Sequence, residues 1–183
     1  MCINCRGLGD PQAVNSFRTL LRKTSPRLVF LSETKRSVKD MTVVIRKLKN
    51  YDGITVDARG VAMLWSKGLD VTLLSMSLNH VDISVKGVGA MHEWHFTGIY
   101  GWPESHSKMH TCSMLRNLHS HCNLPWLVGG DLNEIWYNYE KNGGPDKPQS
   151  LLDNFREAFD NCRLYDLGFQ GYEFTWWNRR DGA

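Results

Sequence analysis

Between residues 51 and 100 the chain carries five short apolar runs, at 51–56, 61–65, 71–74, 81–85 and 94–100, separated by Gly, Asp, Ser or Asn. Runs of this length bounded by turn formers read as β-strands. On either side of this block the pattern changes to strands alternating with helices. Val14, Phe17, Leu20 and Leu21 recur at helical spacing and predict an amphipathic helix over 11–23. A buried strand follows at 28–31, then a second helix at 38–49. Further on come a helix near 105–121, a strand at 125–128 running into Gly129-Gly130-Asp131, and a helix from Ser150 to about Cys162. A run of strands framed by alternating elements implies stacked sheets with helices packed outside them.

Local signals punctuate this reading. Residues 1–6 read as the tail of a strand entering a Gly7-Leu8-Gly9 turn. Asp10 offers an N-cap and Pro11 a first-turn proline. Pro26 ends the first helix. Residues 138–149 form a polar, Gly- and Pro-rich loop. Ser150 and Asp153 resemble a capping box with Asp in place of Glu. Residues 164–169 and 173–177 close the chain as a loop and a strand.

The 183 residues are 42% hydrophobic and 22% charged, which fits one soluble globular domain over 1–183. The net charge of +3 permits a polyanionic partner without arguing for one. No apolar run is long enough to span a membrane, and no signal segment opens the chain. Five irregularly spaced cysteines argue against a disulfide framework and for a reducing compartment, nucleus or cytoplasm.

Asn4, Glu33 and Asp131-Leu132-Asn133 each sit where an apolar strand has just ended. In layered α/β folds such positions face a shared cleft. Carboxylates and carboxamides are hard oxygen donors suited to Mg²⁺, which binds through one or two carboxylates plus substrate phosphate. Extended alternation puts Asp131 and Asn133 on one side and Leu132 on the core side. Each residue alone has a plainer reading. A strand-end Glu is usually solvated, Asp after two glycines is usually a turn residue, and Asn beside a glycine turn usually bonds local backbone.

The motifs in combination say more. Asn4-Cys5-Arg6-Gly7-Leu8-Gly9, Leu31-Ser32-Glu33-Thr34-Lys35, Ile99-Tyr100-Gly101-Trp102-Pro103 and Val128-Gly129-Gly130-Asp131-Leu132-Asn133-Glu134 occur in that order. They resemble the successive motifs of the endonuclease/exonuclease/phosphatase family. Asp166-Leu167-Gly168-Phe169 with Phe174-Thr175-Trp176 resembles a segment typical of its plant LINE-type retrotransposon branch. Ile3 stands where that family usually has Trp. The family's later Asp and terminal Ser-Asp-His motif have no match before Asp181-Gly182-Ala183.

The resemblance implies an α/β four-layer sandwich of two mixed β-sheets flanked by helices, incomplete at the C-terminus. It implies DNA nicking by Mg²⁺-dependent phosphodiester hydrolysis, with Mn²⁺ as the alternative ion and a reverse transcriptase domain in the full-length element. Glu33 would bind the metal and Asn4 would support it. Asp131 would orient the attacking water. Asn133 and Tyr100 would hydrogen-bond the phosphate, and Trp102 and Thr175 would contact the substrate. A phosphatase or phosphodiesterase of the same family and a catalytically inactive fragment are the rival readings. Oligomeric state is not legible.

Other features carry less. Cys2-Ile3-Asn4-Cys5 lacks a second ligand pair for zinc. His110, Cys112, His119, His121 and Cys122 scatter around their helix. Trp65, Trp94 and Trp126 lie in apolar strands and read as core. Lys141 and Lys147 read as a solvated loop in preference to a DNA clamp. Because groups that act as a unit are strongly non-additive, residues 1–183 alone are expected not to nick supercoiled plasmid in Mg²⁺. Multiple-turnover nicking that disappears in Glu33→Gln would overturn that expectation.

Overall fold

A computed structural model describes residues 1–57, 59–87, 92–168, 170–172 and 174. The chain divides into two compact units. One comprises Met1–Gly101 with Leu124–Leu132, and the other Trp102–Asn123 with the described residues from Asn133 onward.

The first unit holds strands β1 (Cys2–Asn4), β2 (Leu28–Ser32), β3 (Tyr51–Val56), β4 (Val61–Ser66), β5 (Val71–Met76), β6 (His80–Val85), β7 (Trp94–Tyr100) and β8 (Trp126–Asp131). It also holds helices α1 (Pro11–Thr24) and α2 (Val38–Lys47). The strands form two sheets, ordered β1-β2-β4-β3 and β5-β6-β7-β8. Each sheet has one parallel pair at an edge, β1 with β2 and β7 with β8, and is antiparallel elsewhere. These are the two mixed sheets of the α/β class expected above.

Side-chain alternation explains the layering. In β2, Val29 and Leu31 point to one face and Phe30 to the other. In β4, Ala62 and Leu64 join the first face, and Val61 and Met63 the second. The first face packs under α1 and α2 through Phe17, Leu21, Met41, Val44 and Ile45. The second meets Val81, Ile83, Val85, Phe96 and Tyr100 of the other sheet. Val61 to Leu64 are wholly buried, as a strand covered on both faces must be.

Phe30 and Gly98 set how closely the sheets approach. A Cβ built on Gly98 would lie 2.1 Å from Cδ2 of the Phe30 ring, so the ring lies directly on the glycine backbone.

Helix ends follow their chemistry, with one exception. Asp10 Oδ1 accepts from the Gln12 amide at 2.9 Å and Pro11 opens α1. Ser37 Oγ accepts from the Asp40 amide at the start of α2. In the second unit, α3 (Met109–His121) packs on α4 (Gln149–Asn161). Residues 105–108, expected to be helical, give a 3-10 turn at Ser105–Ser107 before α3 begins. The capping box at Ser150 does not form. The helix starts one residue earlier, after Pro148, and Asp153 accepts from Gln149 Nε2 and pairs with Arg156 instead. Within the polar loop, Asn138–Glu140 makes a further 3-10 turn. The strand expected at 173–177 lies outside the described residues. Trp65, Trp94 and Trp126 are half-buried; the first two pack against the core between the sheets, and Trp126 meets the His95 ring edge-on. No helix among the described residues is long and apolar enough to cross a membrane.

Because the Phe30 ring fills the space a methyl would need, Gly98→Ala should destabilise the fold by about 1–3 kcal/mol, the usual cost of overpacking a core. Adding Phe30→Leu should recover part of that loss. Urea unfolding of the single and double variants checks this; an unshifted midpoint in Gly98→Ala would refute it.

Candidate active site

The two parallel edge pairs carry their carboxyl ends to one place. Asn4 is in register with Ser32, one residue before Glu33, and Tyr100 is in register with Asp131. The edge strands β1 and β8 lie against each other. The Asn4 side-chain amide spans the join: Nδ2 donates to Glu33 Oε1 at 2.7 Å and to Asp131 Oδ2 at 2.8 Å. Its Oδ1 accepts from the Arg6 amide at 3.2 Å, which fixes the amide's orientation. The Tyr100 hydroxyl donates to Glu33 Oε1 at 3.1 Å. Four strands therefore contribute one side chain each to a single hydrogen-bonded cluster.

The backbone under the cluster is held firmly. Glu33 and Lys35 have φ of 51°, a left-handed conformation that costs energy in a non-glycine residue. Bonds on both sides of the loop hold it there. The Cys5 amide donates to Ser32 O, the Leu8 amide to Thr34 O, and the Thr34 amide to Gly60 O, at 2.8–2.9 Å. Arg36 binds the Leu8 and Gly9 carbonyls. Gly60, at φ 63°, must be glycine, because a Cβ there would meet Thr34 Oγ1 at 2.8 Å.

Tyr100 is clamped by a residue that the sequence reading missed. Buried Asn79 donates through Nδ2 to Tyr100 O and accepts from the Tyr100 amide, both at 2.7 Å. Its only sequence signal is its place in a Ser77–His80 turn.

The donor set suits a hard divalent cation. Glu33 Oε1 takes both hydrogen bonds, and among the described residues no cation pairs with Glu33. No group of three His, Cys, Asp or Glu side chains that could hold a metal occurs among the described residues. Two carboxylates meeting on one amide fit an ion that takes one or two protein carboxylates and fills its shell from substrate and water.

In the second unit, Asn133 lies just past the end of β8 and has φ 54°. The extended alternation expected to align it with Asp131 does not run through it. Its carbonyl accepts from Lys108 Nζ at 2.6 Å. Glu134, with a side chain only 6% exposed, pairs with Lys108 at 3.3 Å and with Lys147. Burial lowers the Lys108 pKa. Lys141 binds the Gly143 and Gly144 carbonyls. Trp102 packs its ring against His110 at 5.5 Å, and its amide donates to Thr111 Oγ1. Thr175 lies outside the described residues.

The model of the endonuclease/exonuclease/phosphatase family matches residues 1–183. The chain belongs to that family. No curated protein matches it by sequence. Among solved structures it is similar to the endonuclease domain of TRAS1, a telomere-specific non-LTR retrotransposon, at 15% identity and TM-score 0.64, covering 92% of this chain and 73% of that one. It is similar to an AP endonuclease from Archaeoglobus fulgidus, at 14% identity and TM-score 0.61, covering 87% and 67%. It also resembles D. rerio TDP2 complexed with a single-strand DNA product, at 12% identity and TM-score 0.50, covering 67% of this chain and 54% of that chain. The chain spans less than two thirds of each of the TDP2 structures it resembles.

Two further features of this family member bear on chemistry. Cys5 sits beside Glu33, and burial first, with the Glu33 charge second, pushes its thiol up to about 12. It is therefore protonated and a poor ligand or nucleophile at neutral pH. Across β8, β7 and β6, Trp126 Nε1 donates to Thr97 Oγ1 at 2.8 Å, and Thr97 donates to Asp82 Oδ1 at 2.6 Å. Asp82 is buried, which raises its pKa from 3.8 to about 6, against the lowering effect of Thr97.

The folded chain thus keeps the Asp82 proton to higher pH than the unfolded chain does. Stability contributed by this group is present below about pH 4 and is lost as pH rises to about 6. Asp82→Asn, which keeps an acceptor for Thr97, should be more stable than the parent at pH 8, by on the order of 2–3 kcal/mol. The advantage should vanish near pH 4. Denaturant unfolding across that range tests this; a pH-independent difference would contradict it.

Proposed function

We propose that this chain is the metal-dependent nuclease domain of a LINE-type, non-LTR retrotransposon of a plant, cutting DNA by phosphodiester hydrolysis. The observation that carries the reading is the Asn4 amide holding the Glu33 and Asp131 carboxylates together at the strand ends. The family is defined by nucleases and phosphatases, and the retrotransposon endonuclease fold and the DNA-bound TDP2 support DNA as the substrate class. The Asp166–Phe169 and Phe174–Trp176 motifs support the plant-element assignment. In such an element, a nick would leave a 3′ hydroxyl from which a reverse transcriptase in the same polyprotein could prime.

Glu33, assisted by Asn4, would hold Mg²⁺ or Mn²⁺. The bound ion would polarise the phosphoryl oxygen and stabilise the leaving oxygen. Asn4 fixes the carboxylate, and Tyr100 places a hydroxyl beside it that can turn to a phosphate oxygen. Asp131, anchored through Oδ2, can orient water and take its proton. By motif, Asn133 hydrogen-bonds the phosphate, and Trp102 and Thr175 touch the nucleic acid. Donors aimed at developing charge are each worth about 2.7–4 kcal/mol of transition-state stabilisation.

Glu33→Gln tests the assignment cleanly, since Gln Oε1 still accepts from Asn4 and Tyr100 and only the charge is lost. Its circular dichroism should match the parent's, while Mn²⁺ affinity by electron paramagnetic resonance should fall at least tenfold. Plasmid nicking by the full-length protein should fall by several orders of magnitude. Nicking equal to the parent's at limiting Mg²⁺ would show that Glu33 is not the metal ligand.

A further inference from the structure

At the opposite end of the first sheet from Glu33, the structure has an open cavity of about 560 Å³. Its walls include Arg18, Arg22, Lys47, Lys49, Tyr51 and Ser66, and no acidic side chain lines it. The sequence places these cations there for simple reasons. Arg18 and Arg22 are one turn apart on α1 and share a stripe. Lys47 ends α2, and Lys49 lies in the short turn into β3. Pro26 and Tyr51 lie next to and at the starts of β2 and β3, and Ser66 ends the antiparallel β4, so the floor is the far edge of the same sheet.

Cations at helix carboxyl ends often serve only to complement the helix dipole. Here several carbonyls at and just past the helix ends have other partners. The Ser25 amide donates to Leu21 O at 2.8 Å and the Leu48 amide to Ile45 O at 2.9 Å. The Tyr51 amide donates to Leu48 O at 2.8 Å, and the Tyr51 hydroxyl donates to Pro26 O at 2.7 Å. Among the described residues, none of the four cationic side chains makes an ion pair or a side-chain hydrogen bond. Four like charges around one concavity repel each other and favour an anion between them.

We propose that this cavity is a second nucleic-acid site, binding the phosphodiester backbone at the end of the first sheet remote from the Asn4–Glu33–Tyr100–Asp131 cluster. Four separate cations suit several phosphates along a strand better than one compact anion, and backbone contacts of this kind carry no base preference. Of the apolar lining, Leu21 and Leu48 are buried and Pro26 and Tyr51 half-buried, which leaves little to insert into a lipid bilayer. The seven residue-to-residue steps from Pro26 to Glu33 separate the two sites by roughly 23 Å at ~3.3 Å per step. A strand bound here therefore does not compete for the carboxylate cluster.

The test is fluorescence anisotropy with a labelled single-stranded oligonucleotide in EDTA, which keeps metal from the carboxylate cluster. The triple variant Arg22→Gln/Lys47→Gln/Lys49→Gln is compared with Lys39→Gln/Lys86→Gln/Arg163→Gln, which removes the same charge elsewhere. The cavity triple should weaken binding at least tenfold at 50 mM salt. It should also flatten the slope of log affinity against log salt by about two, since each lost phosphate contact removes ~0.7. The control triple should change both by less than a factor of two, and Glu33→Gln should leave binding intact. Equal weakening by the two triples, or none by either, overturns the proposal. So does a cavity triple that binds the oligonucleotide normally but loses flotation with phosphatidylserine vesicles, because the site would then be a membrane contact.

Discussion

The two hydrogen bonds donated by one nitrogen, Asn4 Nδ2, are the constraint on which the candidate site depends. Glu33 belongs to the first sheet and Asp131 to the second, so the amide ties the sheets together as well as the carboxylates. Charge-assisted bonds of this kind stabilise by about 1.5–3 kcal/mol each, but only where both partners are already positioned. The positioning comes from parallel pairing at each sheet edge and from the sheet spacing that Phe30 and Gly98 define. An amide also carries no charge. It can hold two carboxylates in place without neutralising them, so the cluster remains electrostatically incomplete. A lysine at the same position would have closed the site as a salt bridge and removed its need for a cation.

The legible parts of this architecture were those in which a residue's own neighbours carry the information. The wholly apolar run of β4 announces burial on both faces. The alternation of Val29, Phe30 and Leu31 does not distinguish its two faces, yet the run's length and the following polar residues place Glu33 at a strand end. Asn4 and Asp131 were found by the same local signal, sharpened by motif resemblance. Asn79 gave no such signal, because its role is to meet Tyr100, 21 residues away, through the backbone. The run at 81–85 read simply as a short strand, and nothing in it announced that its polar residues Asp82 and Ser84 are buried. What covers a strand's second face is not written in that strand.

The misreadings have local physical causes. Aligning Asp131 with Asn133 assumed that extended backbone continues, whereas β8 ends at Asp131 and Asn133 turns left-handed. Lys147 was weighed as a solvated loop residue or a DNA clamp. It is committed to Glu134, with Lys108 on the other side. A buried carboxylate recruits cations wherever the chain brings them, and that pairing over 13 and 26 residues cannot be seen in a loop's composition.

A net charge of +3 conceals a strong polarity along the first sheet. The Glu33 and Asp131 carboxylates meet at the ends of β2 and β8, and cations with no ion pair among the described residues gather where β2 begins. The sheet separates them, and salt screens each end from the other beyond ~10 Å. On the proposed reading, the two ends would meet a polyanion as separate surfaces. A divalent cation held as proposed at Glu33 would cancel the charge of the Glu33 and Asp131 carboxylates without moving a strand, since Asn4 and Tyr100 already fix the cluster. On the proposed reading, metal would relieve the repulsion of a phosphate by these two carboxylates before any chemistry begins. The mild overall charge gives no hint of this, because what a polyanion meets at close range is the local arrangement of charges and not their sum.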